Sequence, residues 1–434
     1  MNISFSKHTL ANGLDVLLHE DHGCPIVAVN LWYHVGSKNE QPGHTGFAHL
    51  FEHLMFEGSQ HYDRGYFEPL QRAGATLNGS TNADRTNYWE VVPPGALDLA
   101  LWMESDRMGY LLPALTEAKF SNQRDVVLNE RRQNHENRPY GLAPMALLAA
   151  LFPPDHPYHW TTIGEIADLQ AAHLDEVQAF FRRYYRPANA SIALAGDINS
   201  DDALGLVRHY FETLDAGEPA GPVEVTASLS RDVRIQFEDR VELPRLYLAW
   251  LTPAMFADGD ADLDLATDLL ANGKTSRLYR RLVFDARIAT DVSASQNSRE
   301  IAGYAQIAAT AAPGHALAEL EDVILEEIAR LAEGGPTDEE IERGRVQAES
   351  QFVLRLQTVG GFGGKSDQLN AYNTFLGDPA YFTRDRARYQ DVTHESLRQA
   401  VIRYLPPGRR VTLSVVPRGR AALAAPGSEP AVVS

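Results

Sequence analysis

The chain opens with alternation. TLANGLDVLLHE places apolar and polar residues in turn on both sides of an Asn-Gly pair, which predicts a β-hairpin. IVAVNLWYHVGS continues as a mostly apolar strand. The period then changes. In GHTGFAHLFEHLMFEGS the apolar residues Phe47, Leu50, Phe51, Leu54 and Met55 recur at three and four, the spacing of one helix face. FEPLQRAGATLNGSTNADRTNYWEVVPP predicts a short helix and two strands. LDLALWMESDRMGYLL and TEAKFSNQRDVVLNERRQNHE predict amphipathic helices, the second opened by a Thr cap.

The pattern then repeats. HLDEVQAFFRRYYRPANASIALAG (173–196) is matched by THESLRQAVIRYLPPGRRVTLSVV (393–416): a capped helix ending in Arg-Tyr, a proline break and a strand. LTEAKF (115–120) and PTDEEI (336–341) open corresponding helices at a similar offset. A repeat this long implies a duplicated domain rather than a solenoid. The fold class expected is α+β: two homologous α/β domains, each an antiparallel sheet with helices packed on one face. The expected boundaries are an N-terminal domain at 1–215, a Pro-, Gly- and Ser-rich linker at 216–232, a C-terminal domain at 233–418 and a disordered tail at 419–434.

Charge and composition narrow the partners. The 434 residues carry a net charge of -19, which argues against nucleic acid, because phosphate binding needs clustered Lys and Arg. The single cysteine, Cys24, rules out a disulfide framework or a thiolate zinc cluster within the chain. No basic leader precedes an apolar block, and the longest apolar stretch, LAPMALLAALF (142–152), is too short for a bilayer. The expected location is the cytoplasm without membrane insertion, or the periplasm if a leader has been trimmed.

Against this background AHLFEHLMFEG stands out. His49 and His53, four apart, lie on one helix face and can share a metal ion. Glu52 projects beside them. The pattern H-x-x-E-H supplies the parts of a hydrolytic zinc site, two imidazoles and a carboxylate base. A chain of this composition contains it by chance roughly 0.03 times. A third ligand is required. Glu130, in VVLNERRQ, is one candidate among many on spacing alone.

HLFEHLMFEGS, GATLNGSTNADRTNYWE and QRDVVLNERRQ, in this order and spacing, resemble the pitrilysin family of zinc peptidases, the inverzincins, which includes insulin-degrading enzyme and the mitochondrial processing peptidase. The resemblance covers nearly the whole chain, and its length is similar to the short-chain members, which pair into dimers. It implies one Zn²⁺ per chain held by His49, His53 and Glu130, with Glu52 as general base. It implies that Asn78 and Gly79 lie on a strand to which an extended peptide substrate adds. It also implies that two such domains close like one half of a clam shell.

Two positions depart from the family. A Glu usual seven residues before the metal-binding Glu is here Gln123, which can still support the site by hydrogen bonding. The Arg and Tyr that active members carry about seven apart in the C-terminal half are replaced by Val283 and Thr290. Arg299 and Tyr304 lie downstream at a spacing of five, which does not fit. The expectation is therefore a zinc endopeptidase subunit in a heterodimer whose homologous partner supplies the Arg-Tyr pair. The alternative is a noncatalytic, zinc-retaining binding subunit.

Other patterns carry less. HPYHW (156–160), beside PPD, is expected to be a loop, and His135 to face solvent. VGGFGGKS (359–366) lacks the first glycine of a phosphate loop and is expected to be a flexible connector near a substrate entrance.

Overall fold

The computed structural model describes residues 3–433. The first two residues of the expected N-terminal domain and the last of the expected tail lie outside them.

Two six-stranded sheets organise the chain. The first contains β1 (Ser6–Thr9), β2 (Asp15–Glu20), β3 (Val27–Tyr33), β4 (Thr76–Thr81), β5 (Thr86–Val92) and β6 (Ala190–Gly196), in the order β1-β2-β6-β3-β5-β4. The second contains β7 (Val233–Asp239), β8 (Arg245–Thr252), β9 (Ala289–Asn297), β10 (Gly303–Ala311), β11 (Val411–Pro417) and β12 (Glu429–Pro430), in the order β12-β7-β11-β8-β10-β9. The orders superimpose strand for strand. Each sheet has a parallel pair at the same place, β2 with β6 and β7 with β11, and from there inward the ladders are antiparallel. This is the duplication expected from the repeated helix-Pro-strand pattern.

The outermost position is filled differently. In the first sheet β1 pairs antiparallel with β2. In the second, the C-terminal β12 pairs parallel with β7. The disordered tail expected from Ala, Pro and Ser is therefore corrected in its described part. Ala425 is buried, and the Ala431 N–H donates to the Gln236 carbonyl at 2.8 Å. Backbone pairing on an open sheet edge outweighs a composition poor in large apolar residues.

By compactness the chain forms two units. One takes in the residues up to Asn129 with Thr162–Val223 and Gln351–Arg384. The other takes in Glu130–Thr161, Glu224–Ser350 and the chain from Asp385 on. One dividing point falls within residues 216–232, most of which carry no helix or strand. Within the first unit the helix Lys365–Leu376 covers a face of the first sheet through polar contacts. Asp367 accepts from the Trp32 indole at 2.9 Å and from Asn30 at 3.2 Å, and Asn370 donates to the Asn30 carbonyl at 2.7 Å. Hydropathy did not announce this contact, because its polar groups are satisfied by one another. Among the described residues no helix is long and apolar enough to cross a membrane.

Candidate metal centre

The helix Phe47–Leu54 is fixed at its start and along one side. Gly46 opens it at φ 88°, and a Cβ there would lie 2.9 Å from the Ile163 carbonyl oxygen. The buried Glu40 carboxylate accepts from the N–H groups of Gly46 at 3.0 Å and Ala48 at 2.9 Å. It satisfies donors at the helix's positive end. Leu50, Phe51 and Leu54 are fully buried, with the Phe51 ring 5.4 Å from Phe181 and 5.2 Å from Tyr185. Anchoring this stripe leaves His49, Glu52 and His53 half-buried on the rest of the helix.

An ionic cluster props the next turn. Arg107 lies between the rings of Tyr66 and Tyr88 at 4.1 and 4.0 Å and near Phe56 at 5.6 Å. It pairs with Glu104 and stands 3.5 Å from Glu90, all three side chains being buried. Burial, reinforced by the Glu104 charge, pushes the Glu90 carboxyl well above the usual range. The Tyr88 hydroxyl donates to the Phe51 carbonyl at 3.4 Å, so this cluster also touches the helix backbone.

Glu130 rides on the helix Glu117–Arg131, whose residues up to 129 belong to the first unit. All three candidate ligands are thus carried by elements rooted there. Ligand atoms of His49, His53 and Glu130 lie within 4.8 Å of one another, and this is the one such group of His, Cys, Asp or Glu found among the described residues. The two imidazole rings are 4.9 Å apart and nearly perpendicular. Two imidazoles and one carboxylate form a donor set suited to zinc in hydrolytic sites, so the residues present fit that ion.

The supporting residues divide. The Gln123 amide donates to Glu57, four residues past His53, and so links the helix of Glu130 to the turn after the histidines. Asn78 and Gly79 lie on β4, an edge strand. The Asn78 side-chain oxygen accepts from the Gly79 N–H at 2.8 Å. A Cβ on Gly79 would meet the Tyr88 ring at 3.0 Å and the Phe56 ring at 3.2 Å. Sequence reasoning missed Asn134. Its amide donates to Glu130 Oε1 at 3.3 Å from the π-helical turn Arg132–Glu136. The spacing of four was the available signal. It also missed Glu40, whose distance from Gly46 is outside any capping pattern.

Arg299 and Tyr304, set aside on spacing, are neighbours in the second unit. The Arg299 guanidinium lies 5.1 Å from the Tyr304 ring and 5.0 Å from the Tyr158 ring. HPYHW forms turns, as expected: the Tyr158 N–H donates to buried His156 at 3.0 Å, and His159 bonds the Phe152 carbonyl at 2.8 Å.

Known proteins share this architecture. Residues 15–156 match the family model described as insulinase, peptidase family M16, and residues 171–347 match the Peptidase M16 inactive domain. The zinc protease PqqE of Helicobacter pylori is 30% identical over 356 residues, covering 81% of this chain and 80% of that protein. This chain belongs to the M16 family of peptidases. The M16 chain is also 25% identical to an uncharacterized zinc protease, YmxG, of Bacillus subtilis, over 81% of its own length and 85% of that protein. A crystal structure of a protease from Helicobacter pylori superimposes with a TM-score of 0.88 at 27% identity, covering 96% of the M16 chain and all of that one. The M16 inactive domain from Pseudomonas fluorescens, at 20% identity, shares the fold with a TM-score of 0.84 over 95% of this chain and 98% of that one.

Proposed function

We propose that this chain is a zinc endopeptidase acting on extended peptides or unfolded segments. The observation that carries the reading is the convergence of His49, His53 and Glu130 with Glu52 on the same short helix. Zinc bound there would polarise the scissile carbonyl and lower the pKa of a water molecule. Glu52 takes a proton as the water oxygen attacks the carbonyl carbon, and delivers it to the amine nitrogen as the C–N bond breaks. The edge strand β4, with Asn78 and Gly79, offers backbone groups to an added peptide strand, so recognition rests on main chain more than on side chains. Gln123 holds the helix of Glu130 to Glu57 and keeps the ligands in register.

In this reading the chain is the zinc-bearing subunit of a heterodimer, and a homologous partner supplies an Arg-Tyr pair to the tetrahedral oxyanion. The contact of Arg299 with Tyr304 favours a second reading, in which the chain brings a pair of its own. Quenched-fluorescent peptides decide. Cleavage only on mixing with the homologous partner, abolished by Glu52→Gln with zinc retained, supports the first. Cleavage by the isolated chain, lost on Arg299→Ala, supports the second. No turnover in any mixture leaves a noncatalytic binding subunit.

A further inference from the structure

We infer that Phe362, resting on Trp89, forms an apolar subsite for a substrate side chain beside the edge strand β4. The inference builds on the reading that peptides pair with that strand.

The segment TVGGFGGKS crosses one face of the first sheet. Side chains alternate along β5. Tyr88 and Glu90 face the histidine helix and Arg107, so Trp89 and Val91 face the opposite way. On that side Val359 packs on Ala28 of β3 and Ala195 of β6, with Val91 alongside. A Cβ on Gly360 would lie 2.6 Å from the Ala28 Cβ and 2.7 Å from Val91 Cγ2. Phe362 then meets Trp89 edge to face, ring centroids 5.5 Å apart. The segment thus advances from β6 over β3 to β5, and the next strand is β4.

It turns back at Gly363, whose N–H donates to Asp367 at 2.8 Å. Gly361 and Gly363 hold φ of 78° and 76°, which L side chains avoid, and a Cβ on Gly364 would come 2.4 Å from the Gly360 carbonyl oxygen. Four glycines therefore shape one tight loop. Its tip holds the Phe362 ring 50% exposed. The Phe362 ring and the Trp89 ring beneath it present one apolar surface, next to the edge strand to which a peptide would add.

The neighbouring edge leaves room for an occupant. Trp89 stands directly opposite Asn78, so Thr76, Asn78 and Ser80 share this face and are small or polar. A peptide strand added to β4 would lie about 4.8 Å beyond it. Its alternate side chains would pass over those small residues, and a large apolar one would cover the exposed side of Phe362.

The probe is a fluorescein-labelled octapeptide of alanine and serine, and its variants with one phenylalanine at each position in turn. Binding is read by anisotropy on the zinc-loaded Glu52→Gln protein. At least one phenylalanine position should bind about tenfold tighter than the parent peptide. Adding Phe362→Ala should cut that preference to about twofold or less, and Phe362→Trp should keep it. No preference for phenylalanine, or one indifferent to Phe362→Ala, overturns the subsite and leaves the β4 reading standing. Methylating alternate peptide nitrogens removes main-chain donors. Binding that survives methylation in either register, or no binding by any peptide, sinks the β4 reading and the subsite with it.

Discussion

The helices Phe47–Leu54 and Asp260–Ala271 occupy matching places in the two units. Each follows the corresponding strand of its sheet, β3 or β8, and each opens on a glycine with positive φ, Gly46 at 88° and Gly259 at 93°. Counted from those glycines, His49 is matched by Asp262, Glu52 by Leu265 and His53 by Ala266. Counted from the threonines that precede their helices, Thr116 and Thr337, Glu130 is matched by Gln351. Leu265 and Ala266 are buried in the second core. Where the first unit collects imidazoles, the second builds a network of carboxylates. Asp260 accepts from the Phe256 N–H at 2.9 Å and pairs with Arg388 at 2.8 Å. Asp264 accepts from the Tyr389 hydroxyl at 2.6 Å, and Asp262 from Ser396 at 2.5 Å.

The contrast separates two kinds of requirement. Sheet order depends on main-chain pairing and on apolar burial, which many sequences satisfy, so both halves keep it. A metal centre depends on a few side chains that nothing else in the fold demands. With Leu265 and Ala266 filling core positions, the second helix lacks a carboxylate and an imidazole at the places matched to Glu52 and His53.

The strongest way to break the comparison is at Glu52. Glu52→Gln, with zinc retained by elemental analysis, should slow peptide hydrolysis by about 10²- to 10⁴-fold. Leu265→Ala at the matched position should alter stability and leave the rate constant for the chemical step alone. Equal activity of Glu52→Gln and wild type would remove the functional difference between the halves.

Arg107→Met should follow in size. It leaves Glu104 buried without its partner in the unit that carries the histidines, a loss of about 3–5 kcal/mol in urea unfolding. A change under about 1 kcal/mol would show that the aromatic stack, not the charge, supports that helix.

In the second unit the sensitive group is Asp264. Burial, opposed by the Tyr389 hydrogen bond and reinforced by Asp260, pushes its carboxyl up to about 7. Between roughly pH 4 and pH 7 the folded chain holds a proton that the unfolded chain has released, so this group's contribution to stability falls as pH rises through that window. Asp264→Asn should therefore gain on wild type between pH 5 and pH 8, by on the order of 2 kcal/mol. A pH-independent difference between the two proteins would place the carboxyl at its ordinary value.

The smallest effect concerns Asn134. Asn134→Ala removes the donor to Glu130 and should weaken zinc binding about tenfold in a chelator competition, with the unfolding midpoint of the zinc-free protein unchanged. An unaltered zinc affinity would mean that Glu130 needs no such support.

Much of this was legible in the chain. The period changes around residues 26–56 mark β3 and the helix Phe47–Leu54, because alternation and threefold-fourfold spacing report burial on one side of a regular backbone. The repeated helix-Pro-strand segments mark the duplication. The positions of His49, Glu52 and His53 follow from helix geometry alone, since all three lie within two turns. Other features were not legible. Residues 130–161 and 351–384 group with the half of the chain opposite to their place in sequence order, and polar contacts such as Asp367 with Trp32 leave no hydropathy signal. The tail from Ala425 on is ordered by an open edge that composition does not register.

Local pattern alone determined the element types, the doubling of the fold and the pair of histidines with their glutamate, because each depends on residues near in sequence and on backbone periodicity. Only the tertiary structure decided that Glu130 reaches those histidines, that Glu40 and Arg107 brace their helix, and that a glycine loop sets Phe362 on Trp89. Those contacts join residues far apart in the chain, and their free energy exists only once the first sheet and the elements packed on it have formed and water has left the contacts themselves.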